Sequence, residues 1–209
     1  MGHSSAMDTD YTPTSELAER LLTDSFKPCR PGSLEAAKWA DHYECPIAEV
    51  NACLDEFLNA GLIKKIDHWG KAGPRPQKFE TTEVGWHAKE RFLRARGLRH
   101  PTLLNQSAHD PKDLIVAILA DRHIANARIT RGFGFSTAED WSVVAFYLDE
   151  FSAEELSIAR IALIGERLVE DGSATQPNQF DLTKRGLKTY RSTVAHRVHV
   201  APAESILDL

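Results

Sequence analysis

The fold of this 209-residue chain is decided by the segment LNAGLIKKI at residues 58–66 and the segment KFETTEVG at residues 78–85. The first segment ends a helical pattern at Gly61, a residue suited to a left-handed helix cap, and then alternates like a β-strand. In the second segment, residues 78–81 predict a returning strand and Thr82 predicts the N-cap of another helix. The two segments therefore predict a helix, a β-hairpin and a helix in succession.

Three helices are predicted before this hairpin. Apolar periodicity predicts a helix from Ser15 to about Asp24, a second with Ser33 as its N-cap that runs through Tyr43, and a third from Pro46 to Asn59. The helix that follows the hairpin is predicted from Thr82 to Arg96. The order is helix, helix, helix, strand, loop, strand, helix.

Both deciding patterns recur later in the chain. QFDLTKRG at residues 179–186 matches KFETTEVG, because each combines phenylalanine, an acid, threonine, a charged residue and glycine at the same spacing. Upstream of it, LVEDGSA at residues 168–174 is set against FLNAGLI at residues 57–63, which makes Gly172 the counterpart of Gly61. On this alignment the first hairpin is ten residues longer than the second. The chain is predicted to contain the same unit twice.

With these motifs the chain resembles the superfamily of winged helix-turn-helix transcription regulators of bacteria, in the broad style of MarR-like and PadR-like repressors. The resemblance implies a mainly α fold with small β-hairpin wings, arranged as two winged helix-turn-helix domains in tandem. It also implies a third helix in the major groove of DNA and a wing that contacts phosphates or the minor groove.

The predicted domain plan has four parts. Residues 1–12 are a flexible tail, and residues 13–100 are the first winged helix with its long basic wing. Residues 101–135 are a connecting segment that is partly helical, and residues 136–209 are the second winged helix.

Composition excludes several classes of protein. Hydrophobic residues make up 42% and charged residues 26% of the chain, which is typical of a globular protein rather than a disordered one. No apolar run approaches the roughly 20 residues that span a bilayer, and the polar start lacks a signal sequence, so no membrane partner and a cytoplasmic location are expected. Three cysteines are too few for a disulfide framework.

Charge is strongly uneven along the chain. The whole protein has a formal net charge of −5, but residues 61–100 hold ten basic side chains against four acidic ones. Such a local basic segment indicates a surface for nucleic acid, whereas the alternative is a solvated helix face whose cations pair with acids elsewhere. Both interpretations remain open at the level of sequence.

Double-stranded DNA is the predicted partner, and most of the predicted contacts lie in the basic segment. In the third helix, Asn51 suits a base edge, but Glu49 and Asp55 on the same face would repel phosphate. The wing and the helix after it supply cations for the backbone. The predicted DNA-binding residues are Asn51, Lys64, Lys65, His68, Lys71, Arg75, Lys78, Arg91 and Arg94.

The second copy is acidic and has a short uncharged wing, so it suits a protein partner or a second copy of the chain as well as DNA. The leading hypothesis is a dimeric DNA-binding transcription regulator. The alternatives are a tandem winged-helix scaffold or accessory subunit that binds other proteins, and an accessory factor of replication or of a mobile element.

Three other interpretations are weaker. RGFGF at residues 131–135, with Leu114–Leu119 as a partner strand, resembles an RNA-recognition motif, but the spacing leaves no room for the intervening elements. His42 and Cys45 with Cys53 have the spacing of metal ligands but lack a matching second pair. The chain carries none of the sequence motifs of phosphate loops, nucleophile elbows or metalloproteases, so no enzyme activity, catalytic residue, metal or cofactor is predicted.

Overall fold

The structure is a computed structural model that describes residues 11–26, 34–66, 77–130, 139–172 and 179–207. The chain divides into two compact units, Met1–Leu98 (unit 1) and Arg99–Leu209 (unit 2). The described residues are mainly helical with two small antiparallel hairpins, which confirms the predicted fold class at this level.

The elements of unit 1 follow the predicted order. They are α1 (Glu16–Ser25), α2 (Ala36–Tyr43), α3 (Ile47–Asn59), β1 (Ile63–Ile66), β2 (Lys78–Thr81) and α4 (Glu83–Ala95). Helix α2 begins later than predicted, because Leu34 forms an isolated antiparallel bridge with Phe79 and Glu35 becomes the N-cap position. Ser33, the predicted cap, lies outside the described residues.

The core of unit 1 forms where the apolar faces of the helices meet. Leu21 and Leu22 of α1 are fully buried, as are Val50 and Phe57 of α3, and these faces repeat at the helical spacing read from the sequence. Phe26, at the end of α1, packs edge-on against Phe57 with ring centroids 5.3 Å apart. Burial of these large side chains supplies most of the driving force for folding the unit.

The predicted tail is attached to this core at its last residues. Tyr11 donates a hydrogen bond to the carboxylate of Glu56 and packs edge-on against Phe57, with centroids 5.9 Å apart. Thr14 also donates to Glu56, from its backbone nitrogen at 3.1 Å and from its hydroxyl group. The chain is therefore attached to the core at residues 11 and 14, and residues 1–10 lie outside the described residues.

Unit 2 contains a longer series of elements. They are α5 (Pro101–Leu104), a 3₁₀ turn (Gln106–Ala108), α6 (Pro111–Thr130), β3 (Glu139–Asp140), α7 (Trp141–Tyr147), α8 (Ala153–Gly165), β4 (Val169–Asp171), β5 (Gln179–Leu182) and α9 (Lys184–Thr189), which continues through a π-helical stretch (Tyr190–Val194) into α10 (Ala195–Arg197). The strands form one antiparallel sheet in the order β3-β5-β4.

Residues 101–135, predicted to connect two domains, contain an integral helix of unit 2. Every residue from Leu114 to Ala120 of α6 is buried, and α6 packs against α7, α8, α9 and β5. This corrects the interpretation of Leu114–Leu119 as a strand of an RNA-recognition fold, because these residues are helical. The companion motif at residues 131–135 lies outside the described part of the chain.

A Thr–x–x–Gly corner is built identically in the two units. Thr82 caps α4 by accepting from the Gly85 amide at 3.1 Å and donates to the Gly61 carbonyl at 2.7 Å. In unit 2, Thr183 accepts from the Gly186 amide at 2.9 Å and donates to the carbonyl of Arg167 at 2.7 Å. The prediction that both threonines cap helices is confirmed.

The same hydrogen bonds correct the predicted alignment of the repeat. Gly61 has φ +72°, and its counterpart with positive φ is Arg167 at +56°. Gly172, which the sequence alignment paired with Gly61, instead follows strand β4. The true match to residues 57–63 is therefore residues 163–169, and the first hairpin is only five residues longer than the second.

No helix in the described parts of the chain is both long enough and apolar enough to cross a bilayer.

Candidate nucleic-acid interface

The β1–β2 hairpin carries three of the basic side chains that the sequence predicts as DNA contacts, namely Lys64, Lys65 and Lys78. Lys64 pairs in register with Glu80, and Lys65 pairs with Phe79. Both lysines are exposed because this sheet has only two strands, which leaves much of its surface to solvent. Because successive side chains of a strand point to opposite faces, Lys64 lies on the same face as Glu80 and Lys65 lies on the other face, with Phe79.

Two of the hairpin cations have acidic partners within unit 1. The Lys64 ammonium lies 3.3 Å from the Glu80 carboxylate across the strand pair, although its side chain stays 62% exposed. Lys78 lies 2.8 Å from the carboxylate of Glu35, whose side chain is only 9% exposed. An exposed pair such as Lys64–Glu80 is weak, so its lysine can exchange the carboxylate for another anion at little cost.

Glu35 is the acidic centre of this surface. It also accepts from Lys38, at 3.3 Å, and it directly precedes α2. The hydrogen bond from Lys78 is the main reason that the pKa of Glu35 lies below its ordinary value, with a smaller contribution from Lys38. The carboxylate is therefore ionised at neutral pH and competes with any external anion for Lys78.

The basic run of α4 is used mainly inside unit 1. Arg94 lies 3.0 Å from Glu90 one turn earlier, and Arg96 lies 3.3 Å from Glu19 of α1. Lys89 donates to the backbone carbonyls of Thr23 and Phe26 at the end of α1, and thereby ties α4 to that helix. Arg91 is half-buried on the same helix. For these side chains the structure favours the alternative in which the cations pair within the fold.

Helix α3 exposes acidic and neutral side chains. Asn51, the predicted base contact, is exposed, and so are Glu49 and Asp55 on the same helix. Ile47 at the start of the helix is 50% exposed. The sequence of α3 contains no lysine or arginine. Direct contact of this helix with phosphates is therefore unfavourable.

The structure thus brings Lys64, Lys65 and Lys78 together on one hairpin and places Asn51 on α3, whereas Arg91 and Arg94 lie on α4. The remaining predicted contacts, His68, Lys71 and Arg75, lie outside the described residues. Sequence reasoning missed Glu35 and Glu80, the acids that pair with hairpin lysines. The antiparallel pairing of the two strands could have predicted that Glu80 lies opposite Lys64, but no local sequence pattern indicates that Glu35 reaches Lys78.

The hairpin of unit 2 has the opposite charge. Glu170 and Asp171 lie on β4, and Asp171 pairs with Arg160 of α8 at 3.2 Å. The Arg160 guanidinium also lies 4.0 Å from the ring centroid of Phe180. The Arg160 side chain is thus engaged within unit 2, and strand β4 exposes the carboxylates of Glu170 and Asp171.

A cleft of about 670 Å³ beside α1 and α3 contains the two described cysteines. Burial raises the pKa of Cys53, which makes it a poor thiolate. Both thiols are free in the structure. Among the described residues, no group of three histidine, cysteine or acidic side chains has metal-binding geometry.

Comparisons of the chain with protein-family models, with curated proteins and with solved structures found no match.

Proposed function

We propose that this chain is a DNA-binding transcription regulator with tandem winged helices, in which unit 1 contacts the backbone of double-stranded DNA through its β1–β2 hairpin. The observation that carries the proposal is the exposed Lys64–Lys65 pair on β1, within a unit that has the element order of a winged helix. A regulator of this kind acts in the cytoplasm.

The physical basis is the exchange of weak internal partners for phosphates. The Lys64–Glu80 pair is solvent-exposed, and such a pair contributes about 0–1 kcal/mol to stability. A DNA phosphate offers a stronger field and releases condensed counterions when a lysine binds it. Lys71 and Arg75 lie between the two strands in the sequence, and the proposal assigns phosphate contacts to them as well.

Sequence preference in this proposal comes from two sources. Asn51 is the side chain on α3 that suits adenine, since its amide donates and accepts in the pattern of that base edge. The acids Glu49 and Asp55 keep the rest of α3 away from the backbone, so most discrimination arises from groove shape and DNA deformability. A weak sequence preference and strong salt dependence are expected together.

Fluorescence anisotropy with a labelled random-sequence duplex tests this proposal. The triple variant Lys65→Ala, Lys71→Ala, Arg75→Ala should bind at least about tenfold more weakly and lower the salt slope by about three units. Lys184→Ala is the control, because Lys184 is an exposed lysine on α9 of unit 2 rather than on the hairpin. Equal binding by the wild type and the triple variant would contradict the proposal.

A second candidate function is a scaffold that binds other proteins. It is favoured by the surface of α3, which exposes Glu49, Asp55 and the apolar Ile47 where a DNA-reading helix would carry cations. Absence of DNA binding at low salt, with an intact fold by circular dichroism, would favour this candidate over the first.

A further inference from the structure

Helix α8 of unit 2 exposes an apolar stripe. Ile158 is 61% exposed and Ile161 is 67% exposed, the highest values among the large hydrophobic residues of the described chain. The buried face of the helix, formed by Leu156, Ala159 and Leu163, lies on the opposite side at helical spacing. We define the α8 stripe as the exposed residues Glu154, Ser157, Ile158, Ile161 and Gly165.

The equivalent helix of unit 1 shows that the fold does not need these isoleucines. The corner hydrogen bonds make Arg167 equivalent to Gly61, so Ile158 corresponds to Ala52 and Ile161 corresponds to Asp55. In unit 1 these two positions are occupied by a small residue, Ala52, and an acid, Asp55. Packing within unit 2 therefore does not account for the isoleucines on α8.

A negative charge lies at one end of the α8 stripe, and a positive charge follows two residues after the other end. Glu154 lies in the first turn of α8, and Arg167 is exposed directly after the helix. Among the described residues neither has an ion-pair partner, whereas the Glu155 carboxylate accepts hydrogen bonds from Ser152 and the Glu166 carboxylate pairs with Lys112. A surface that is acidic at one end, basic at the other and apolar in the middle is complementary to itself when reversed.

From this pattern we propose that the α8 stripe binds the same stripe of a second copy of this chain, with the two helices antiparallel about a twofold axis. The axis passes near the middle of the stripe, so Ile158 and Ile161 of both copies form one apolar cluster. Glu154 of each copy then lies beside the end of α8 that carries Arg167 in the other. The contact is isologous and closes at a dimer.

The surroundings of Ile158 favour this packing. A groove of about 280 Å³ lies beside it, with a mainly apolar lining formed by Pro111, Ile158, Ala159 and Ala162. Gly165 has open space around the position of a Cβ atom, so no neighbour within unit 2 accounts for its small size. Small residues at a helix face allow a second helix to approach closely. This inference does not depend on DNA binding, which is measured separately.

Sedimentation velocity of the full chain tests the proposal across a series from about 1 µM to about 300 µM, a range that covers small interfaces. The wild type should associate to dimers, and Ile158→Asp or Ile161→Asp should weaken the dimer by about 30-fold or more, as expected for a central interface residue. The control is Ile47→Asp, which alters an exposed isoleucine of α3 and should leave association unchanged. A wild type that stays monomeric throughout would overturn the proposal, and so would aspartate variants that still form dimers.

Mixing experiments test the geometry. A twofold axis at the middle of the stripe places Ile161 of one copy opposite Ile158 of the other, so an equimolar mixture of Ile158→Asp and Ile161→Lys should form heterodimers although each variant alone is monomeric. Glu154→Arg should weaken the dimer, and the double variant Glu154→Arg with Arg167→Glu should restore it. Failure of both the mixture and the double variant to associate would overturn the antiparallel pairing.

Discussion

Gly85 lies directly against the carbonyl oxygen of Leu62, so close that a Cβ atom on residue 85 would be 2.3 Å from that oxygen. Unit 2 repeats the relationship, since a Cβ atom on Gly186 would be 2.0 Å from the carbonyl oxygen of Leu168. The capping threonines donate to these same carbonyl oxygens, Thr82 to that of Leu62 and Thr183 to that of Leu168. This close approach of a helix to the start of a hairpin is therefore a shared structural requirement of both units.

Replacement of either corner glycine by alanine should destabilise its unit. The obstacle is backbone rather than a flexible side chain, so the helix has to move, and we expect a loss of about 2 kcal/mol for Gly85→Ala or Gly186→Ala. Urea unfolding monitored by circular dichroism measures the change. At a protein concentration low enough to exclude self-association, Gly165→Ala is the control, because nothing lies within 4 Å of the added atom. Equal stability of all three variants would contradict the close approach.

The left-handed residue at each corner gives a second prediction. Gly61→Ala adds no steric contact, but φ at this position is +72°, which costs an L-residue about 1 kcal/mol. Arg167 already adopts φ +56°, so Arg167→Gly should stabilise unit 2 by up to about 1 kcal/mol. Thermal unfolding at low protein concentration separates these effects from self-association. Gly61→Ala should lower the melting temperature and Arg167→Gly should raise it. A change in the same direction for both substitutions would be inconsistent with the structure.

The Glu35 carboxylate makes unit 1 sensitive to acid. Its pKa is lowered in the folded state from an ordinary value of 4.5, mainly by the hydrogen bond from Lys78. The resulting stabilisation is present above about pH 4.5 and is lost as the pH falls through the lowered folded value. The wild type should be more stable than Glu35→Gln at pH 7, and the difference should shrink towards pH 3. A urea-midpoint difference that stays constant over this range would exclude the effect.

Glu35 and Glu80, the acids that pair with hairpin lysines, should weaken DNA binding. Glu35 competes with phosphate for Lys78, and Glu80 competes for Lys64, so Glu35→Gln and Glu80→Gln each release a hairpin lysine. We expect each substitution to tighten binding to a random-sequence duplex several-fold at low salt. Glu83→Gln, which changes an exposed acid at the start of α4, is the control. Weaker binding by both variants would contradict the proposed hairpin contact.

The fold of unit 1 could be predicted from local signals. Thr82 and Gly85 are three residues apart, which suits an N-cap followed by a close approach, and the strand at residues 78–81 precedes them. In unit 2 the signal was incomplete, because Arg167 occupies a left-handed position that sequence reasoning reserves for glycine. Helix α6 gave no amphipathic pattern either, since Leu114–Ala120 is buried on all sides.

The sequence predicted which basic residues form the candidate site, but it did not predict which acidic residues pair with them. A local excess of lysine and arginine is visible in the sequence, and the alternating strand placed Lys64 and Lys65 on the hairpin. That Lys78 reaches Glu35, and that Lys89 donates to the end of α1, depends on how distant segments pack. Charge counts therefore locate a basic segment but do not show which of its members remain exposed.

The most direct test of the proposed function is the affinity of the wild-type chain for a random-sequence duplex, measured by fluorescence anisotropy across a salt series. Five hairpin cations, Lys64, Lys65, Lys71, Arg75 and Lys78, would each contact a phosphate if the account is right. The logarithm of the association constant should then fall with the logarithm of salt concentration with a slope of about −4.5. Absence of binding at about 50 mM salt, or a slope near zero, would contradict DNA binding through the hairpin.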